Sequence, residues 1–321
     1  MELKGDSMFT MGHNGWIKYG WGPDLLDEWF SGADLIIDFT SSTTSGVNLL
    51  EAGINCAKTI AENNTGPYTI MASGGVDSQT VIYAWHMSGI PFNVVSVKYI
   101  SNGNCFNDHD LLTLKQFTDI RNIPVVYKDF DIIKFLETDL LTLSKITDCH
   151  SPHLCTYMRM SELIEKGTII FSGNFLEKDI ELPSYIQVRS SLNYSILGMD
   201  RYSKLIAGSD RTIIPFFLNH TPDLALAPLK SSINHKTEIL KAAGYPVITQ
   251  NSEILQKQKF TGFEYVKIYY DSFVDRITTK DKLKAMNKPS KRVFDMLFRY
   301  PLEDHRRVND ETRVINKINI L

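Results

Sequence analysis

The stretch Tyr68-Thr69-Ile70-Met71-Ala72-Ser73-Gly74-Gly75-Val76-Asp77-Ser78 decides the fold, because an apolar run passes through two adjacent glycines into a segment with helical character. Glycine tolerates backbone angles closed to other residues, so the pair turns the chain tightly. The amides of the turn, the positive end of the following helix and the two flanking hydroxyls, Ser73 and Ser78, then converge on one point. Such a point attracts phosphate oxygens. The competing account is an ordinary glycine turn between a strand and a helix, in which Asp77 only complements the helix dipole. That account gives the two serines no use, whereas an anion site employs both serines and the aspartate.

What the loop lacks narrows the chemistry. A Walker A loop has a longer glycine spacing and a lysine that reaches the β- and γ-phosphates. No lysine or arginine follows Ser73 to Ser78 in the loop or the next helical turn, so transfer of a terminal phosphate is not favoured. The segment resembles the signature of the PP-loop (N-type) ATP pyrophosphatases, of the adenine nucleotide alpha hydrolase-like superfamily. That resemblance implies ATP and Mg²⁺ as cofactors, cleavage between the α- and β-phosphates, and AMP passed to an acceptor. It also implies that Ser73, Gly74, Gly75, Val76, Asp77 and Ser78 bind the nucleotide, with Asp77 acting as both a catalytic and a metal-binding residue.

The surrounding pattern agrees with an α/β fold. Val47, Leu50, Ile54, Ala57 and Ile60 recur at helical spacing before Asn63-Asn64-Thr65-Gly66-Pro67 stops them. After the glycine loop come a helix ending at Gly89, a strand at Phe92 to Val97, a helix from Asp108 to Arg121 and a strand at Val125 to Tyr127. A helix through Ile132 to Leu143, another around Thr156 to Lys166 and a strand at Gly167 to Phe171 complete the run. Alternation of this kind predicts a Rossmann-like parallel sheet with crossover helices, whose ligand site lies beyond the carboxyl ends of its strands. Residues 1–43 read as an N-terminal extension with Trp16, Trp21 and Trp29, residues 44–250 as the nucleotide domain, and residues 251–321 as a helical C-terminal region. Segments 190–207 and 231–243 also read as helical.

A second glycine turn, Ser172-Gly173-Asn174, ends the strand at Phe171 and should open on the same edge as the first. It resembles the later PP-loop turn that is followed by an acidic residue. By that likeness Gly173 and Asn174 bind the cofactor, and Asp179 joins Asp77 in holding Mg²⁺, which prefers hard oxygen ligands. A third likeness comprises Ala227-Pro228-Leu229, then Lys236-Thr237-Glu238-Ile239-Leu240, then Ala243-Gly244-Tyr245-Pro246. It is similar to an element of the NAD synthetase, GMP synthetase and queuosine-pathway branches of that superfamily, where the lysine sits near the phosphates. Lys236 is accordingly a catalytic candidate, against the competing account of a surface helix closed by Gly244 and Pro246.

Cys149-His150-Ser151-Pro152-His153-Leu154-Cys155 and the following Arg159 form the remaining constellation. Two cysteines and two histidines are a metal or redox set, or simply residues at a loop and helix junction; their spacing is not that of a zinc knuckle. Arg159 is a candidate catalytic cation facing phosphate. The function expected is ATP-dependent adenylation of a carbonyl or carboxylate oxygen followed by attack of a nitrogen nucleophile, as in a ligase or amidotransferase. Sulfur transfer through Cys149 and Cys155, of the tRNA-thiolation or phosphosulfate-reductase type, is the alternative, and a non-catalytic nucleotide-binding module is a third.

Composition sets outer bounds. A net charge of -3 from 34 basic and 37 acidic residues gives no global attraction to nucleic acid. Arg306-Arg307 and Lys288-Pro289-Ser290-Lys291-Arg292 read as a solvated face rather than a tRNA contact. No apolar run approaches the roughly 18 residues a membrane helix needs, so no membrane partner and a cytoplasmic location are expected. The 4 cysteines are too few for a disulfide scaffold in 321 residues. Position 2 is Glu, not the nucleophilic cysteine of a glutaminase, so an internal ammonia source is not expected.

Overall fold

A computed structural model of the chain describes residues 9–11, 16–22, 34–39, 46–101, 103–105, 107–147, 152–173, 175–178, 186–187, 199, 202–203, 205–233, 235–249 and 313–314. The element order begins with strands β1 (Phe9–Met11), β2 (Ile17–Gly22) and β3 (Asp34–Phe39), helix α1 (Leu49–Asn63), strand β4 (Tyr68–Met71) and helix α2 (Val76–Ser88). It continues with β5 (Asn93–Ser101), β6 (Asn104–Cys105), α3 (Asp108–Asp119), β7 (Val125–Asp131), α4 (Ile132–Thr138), α5 (Leu140–Thr147), α6 (Pro152–Ser161) and β8 (Gly167–Ile170). Then follow β9 (Glu177–Lys178), β10 (Ile186–Gln187), β11 (Arg211–Ile214), α7 (Pro222–Leu226), α8 (Lys236–Ala242) and β12 (Arg313–Val314).

The main sheet runs β11-β8-β4-β5-β7, with every neighbouring pair parallel, and β6 adds a short antiparallel pairing to the end of β5. Adjacent residues of each strand feed opposite faces. Ile70 of β4, Val94 of β5 and Ile170 of β8 join one core with Ile60 of α1, Trp85 of α2 and Phe117 of α3. Met71, Val95 and Ile169, their chain neighbours, join the other with Phe135 of α4, Leu140 of α5 and Met158 of α6. A strand buried on both faces must be apolar on both, which is why these strands read as near-continuous runs rather than alternating ones. The protein is thus an α/β, Rossmann-like doubly wound sheet.

Strand order explains the two cores. The chain moves outward from β4 to β5 to β7 on one side, then returns to the other side of β4 for β8 and β11. Right-handed crossovers place the helices of the two halves on opposite faces, so α2 and α3 cover one face and α4 to α6 the other. The reversal of direction falls between β4 and β8. Open α/β sheets bind their ligands at this switch point, beyond the carboxyl ends of the strands.

Several local outcomes refine the sequence reading. The helix predicted through Ile132 to Leu143 is two helices that meet at Asp139, whose carboxylate accepts from Arg159 at 2.9 Å. The helix predicted around Thr156 to Lys166 begins earlier, at Pro152, since proline suits a first helical turn. The one predicted over 231–243 starts only at Lys236; Ser231 Oγ accepts from the Ile233 amide at 3.1 Å, a local turn that competes with helix. Strand β11 carries no strand pattern of its own, because only two of its four residues, Ile213 and Ile214, are apolar before Pro215 ends the run. The N-terminal extension contains the antiparallel run β1-β2-β3, with β12 parallel to β3. Its docking on the nucleotide domain includes the buried Trp16, whose indole donates to Asn219 O at 3.0 Å. The helical reading of 251–321 lies outside the described residues except at Arg313–Val314, which is strand. That of 190–207 lies mostly outside them too.

Candidate functional site

The first loop leaves β4 at the switch point. Ala72 is held in the sheet by its amide to Val95 O at 2.9 Å, and its carbonyl accepts from the buried Ser96 hydroxyl at 2.8 Å. Gly74 then turns with φ +94, and a Cβ there would lie 2.2 Å from Asp110 O and 3.3 Å from Leu114 Cβ. Only glycine fits. Gly75 has ordinary extended angles and caps α2 with no side-chain hydrogen bond. A Cβ on Gly75 would meet Ser73 Oγ at 3.7 Å and nothing closer.

These two glycines therefore do different work: Gly74 lets the loop pack down on α3, and Gly75 keeps the space above the helix terminus clear. The amides of Gly75, Val76 and Asp77 have no acceptor among the described residues. A 13-residue helix that begins without a cap presents these donors and its positive end to any anion that reaches them. Ser73 and Ser78 sit across the turn from one another, with their hydroxyls 3.1 Å apart and the Ser73 amide donating to Ser78 Oγ at 3.1 Å. Either hydroxyl can rotate outward to a ligand.

Asp77, in the first turn of α2, accepts from Lys236 Nζ with both carboxylate oxygens, at 3.0 and 2.9 Å. Lys236 opens α8, far away in sequence, so the third sequence element does reach the first. Burial pushes the Asp77 carboxyl up from its ordinary range, and the Lys236 ammonium pulls it back. The Asp77 side chain is 20% exposed and that of Lys236 is 43% exposed. The pair is thus only partly buried.

The second loop opens on the same edge. Ile70 pairs with Ile170 in register, and Phe171 to Gly173 follow β8 as Ala72 to Gly74 follow β4. Gly173 has φ +70, and a Cβ there would meet Phe216 Cδ1 at 2.8 Å. Backbone amides of Phe217 and Leu218 hold the loop through Phe171 O and Ser172 O at 2.9 and 3.0 Å. Asn174 and Asp179 lie outside the described residues.

Arg159 is engaged elsewhere. Its guanidinium bridges Asp139 at 2.9 Å and also pairs with Glu162, which ties α6 to the α4 and α5 junction. Cys155 of α6 is fully buried in the core, while Cys149 and His150 lie outside the described residues. No group of three or more His, Cys, Asp or Glu suited to a metal occurs among the described residues. No helix among them is long and apolar enough to cross a membrane.

Three residues near the loop escaped the sequence reading. Gln79 is fully buried and bonds both to Gly74 O and to the backbone of Ile248. Asp110, at the start of α3, presses its carbonyl on Gly74. Tyr157 of α6 stacks on Phe171 with centroids 5.4 Å apart, and burial together with the Asp77 and Asp110 carboxylates raises its phenol well above the usual range. It stays a neutral hydroxyl. A glutamine in the second turn after a glycine loop was the one available signal, since a long polar side chain at a core-facing position demands partners.

No protein-family model and no curated protein matches the chain. Among solved structures it is similar to an NH3-dependent NAD synthetase from Campylobacter jejuni, in complex with the nitrate ion, at 13% identity and a TM-score of 0.32, over 84% of this chain and 97% of that one. It is also similar to an NMN synthetase from Francisella tularensis, at 13% identity and a TM-score of 0.34, over 84% and 97% of the two chains. Likeness this distant assigns no activity to the chain.

Proposed function

We propose that the chain is an ATP-dependent adenylating enzyme that splits ATP into AMP and pyrophosphate, activating an acceptor oxygen for attack by a nitrogen nucleophile. One observation carries the reading: an uncapped helix N-terminus, two facing serine hydroxyls and a partly exposed Asp–Lys pair meet at the switch point of a parallel sheet. The donor set suits a polyphosphate. Amides and hydroxyls of Ser73 to Ser78 would hold the departing pyrophosphate, and Lys236 would turn from Asp77 to the charge that develops on it.

Asp77 is the hard oxygen ligand for Mg²⁺ in this reading, with Asp179 as the proposed second ligand. Bound there, Mg²⁺ would neutralise phosphate charge. Gly173 and Asn174 would bound the nucleotide on the β8 side. Balance requires that the acceptor oxygen bond to the α-phosphorus as the α–β bridging bond breaks; the nitrogen nucleophile then expels AMP. Arg159 is given no phosphate role, because two carboxylates already hold it. Among the described residues nothing favours the sulfur-transfer alternative: Cys155 is buried in the core, and Cys149 lies outside them.

Inorganic pyrophosphate should compete with ATP for the loop, and orthophosphate should compete far less. Calorimetric titration of ATP in the presence of each measures this, and a loop indifferent to pyrophosphate would reject the assignment. A second test uses pH. Lys236 holds the Asp77 carboxyl down against burial, so removing the ammonium raises the carboxyl further and protonates it at a higher pH. The Lys236→Met variant should therefore show the acid limb of its pH–rate profile displaced upward, beyond its loss of rate. A limb that stays where it is in the unmodified enzyme would separate Lys236 from Asp77 in turnover.

A further inference from the structure

Gln79 has no part in the chemistry above, yet its side chain is fully buried directly beneath the phosphate loop. Its Nε2 donates to Gly74 O at 2.9 Å and to Ile248 O at 3.0 Å, and its Oε1 accepts the Ile248 amide at 2.7 Å. Both amide hydrogens are thus used. In a trans peptide the carbonyl and the next amide point in opposite directions. A Gly74 carbonyl drawn down to Gln79 turns the Gly75 N–H the other way, toward the clear space above α2. Glycine on both sides of that peptide makes it easy to rotate, so the loop's own backbone does little to hold its direction.

We propose that Gln79 is a positioning residue of the phosphate loop, holding the Gly74–Gly75 peptide so that its amide faces the ligand. This rests on the reading of the loop as a pyrophosphate cradle. The same side chain fastens the loop to Ile248, at the far end of the segment that begins with Lys236. Along that segment Tyr245 and Val247 are buried, and Arg121 Nη2 donates to Pro246 O at 3.3 Å. The anchored end of the segment is therefore fixed to the loop, while Lys236 at the other end is exposed. Gln79 sets both the loop and the base from which Lys236 reaches it.

Two substitutions separate positioning from mere filling. Gln79→Met keeps the length and apolar bulk but releases the Gly74 carbonyl. Gln79→Glu keeps an acceptor for the Ile248 amide, but an ionised carboxylate repels Gly74 O. When protonated, the acid donates again, and burial makes that protonation accessible at mildly acid pH. Pyrophosphate affinity should fall at least about tenfold in Gln79→Met. In Gln79→Glu it should fall similarly at about pH 8 and return toward that of the unmodified protein, measured at the same pH, at about pH 5.5. Calorimetric titration with inorganic pyrophosphate gives the affinities, and circular dichroism melting checks the fold.

A Gln79→Met variant that binds pyrophosphate as tightly as the unmodified protein would overturn the positioning role and leave the cradle standing. A Gln79→Glu ratio that does not change with pH would do the same, and it decides the matter if Gln79→Met does not fold. An unmodified protein that fails to bind pyrophosphate would instead overturn the cradle itself, and the role of Gln79 with it.

Discussion

Gly74→Ala should cost about 3 kcal/mol or more of stability, while Gly75→Ala should change stability by no more than about 1 kcal/mol and reduce ATP affinity at least tenfold. The two glycines are neighbours in sequence but not in what surrounds them. At Gly74 a methyl group meets a backbone carbonyl at 2.2 Å, and a positive φ disfavours any side chain. Neither the carbonyl of Asp110 nor the turn can yield without moving α3. At Gly75 the nearest atom to an added methyl is Ser73 Oγ, at ordinary contact distance. The methyl is harmless to the fold there, yet it stands over the open amides that a phosphate must approach closely. Urea unfolding and ATP titration of both variants measure the contrast. Equal ATP affinity in Gly75→Ala and the unmodified protein would remove the loop from the ligand site.

Asp77→Asn should lower kcat by about a hundredfold with a loss of stability within about 1 kcal/mol. The carboxylate is held against its own desolvation, so neutralising it removes an electrostatic cost along with the bond to Lys236. The pair is also partly exposed, where screening keeps such bonds weak. Stability should therefore change little. Turnover depends on the carboxylate differently, as the proposed ligand for Mg²⁺, and an amide is a poor substitute for that. Melting measured beside initial rates separates the two. A variant that loses stability in proportion to activity would make Asp77 a structural residue.

Much of the sheet was legible because parallel strands buried on both faces are mostly apolar and β-branched. Tyr68 to Met71 and Gly167 to Ile170 carry that mark, and glycine turns follow both. The residues between them set helix and strand alternation plainly enough to place the loop at a carboxyl edge. Strand β11 was not legible, since four residues before a proline carry no periodicity of their own and become strand only by pairing with β8. The break at Asp139 leaves no mark in the local pattern, and the Arg159 that pairs with its carboxylate lies 20 residues away.

Within the candidate site, the glycine loop was legible from local pattern, whereas Lys236 was singled out only by its likeness to a known element and reads locally as part of a surface helix. Their meeting is a tertiary fact, as is the diversion of Arg159 to Asp139 and Glu162. Gln79 shows the limit most clearly. Its side chain reads as an ordinary polar helix residue until Gly74 O and Ile248 are seen to enclose it. Asp179 and Asn174, both read from the second turn, lie outside the described residues.

The most direct measurement follows the products of ATP labelled on the α- and γ-phosphates, incubated with Mg²⁺, ammonia and a panel of carboxylate and nucleobase acceptors. The account predicts AMP and pyrophosphate in equal amounts, formed only when an acceptor is present and lost in Asp77→Asn. Formation of ADP and orthophosphate would contradict it.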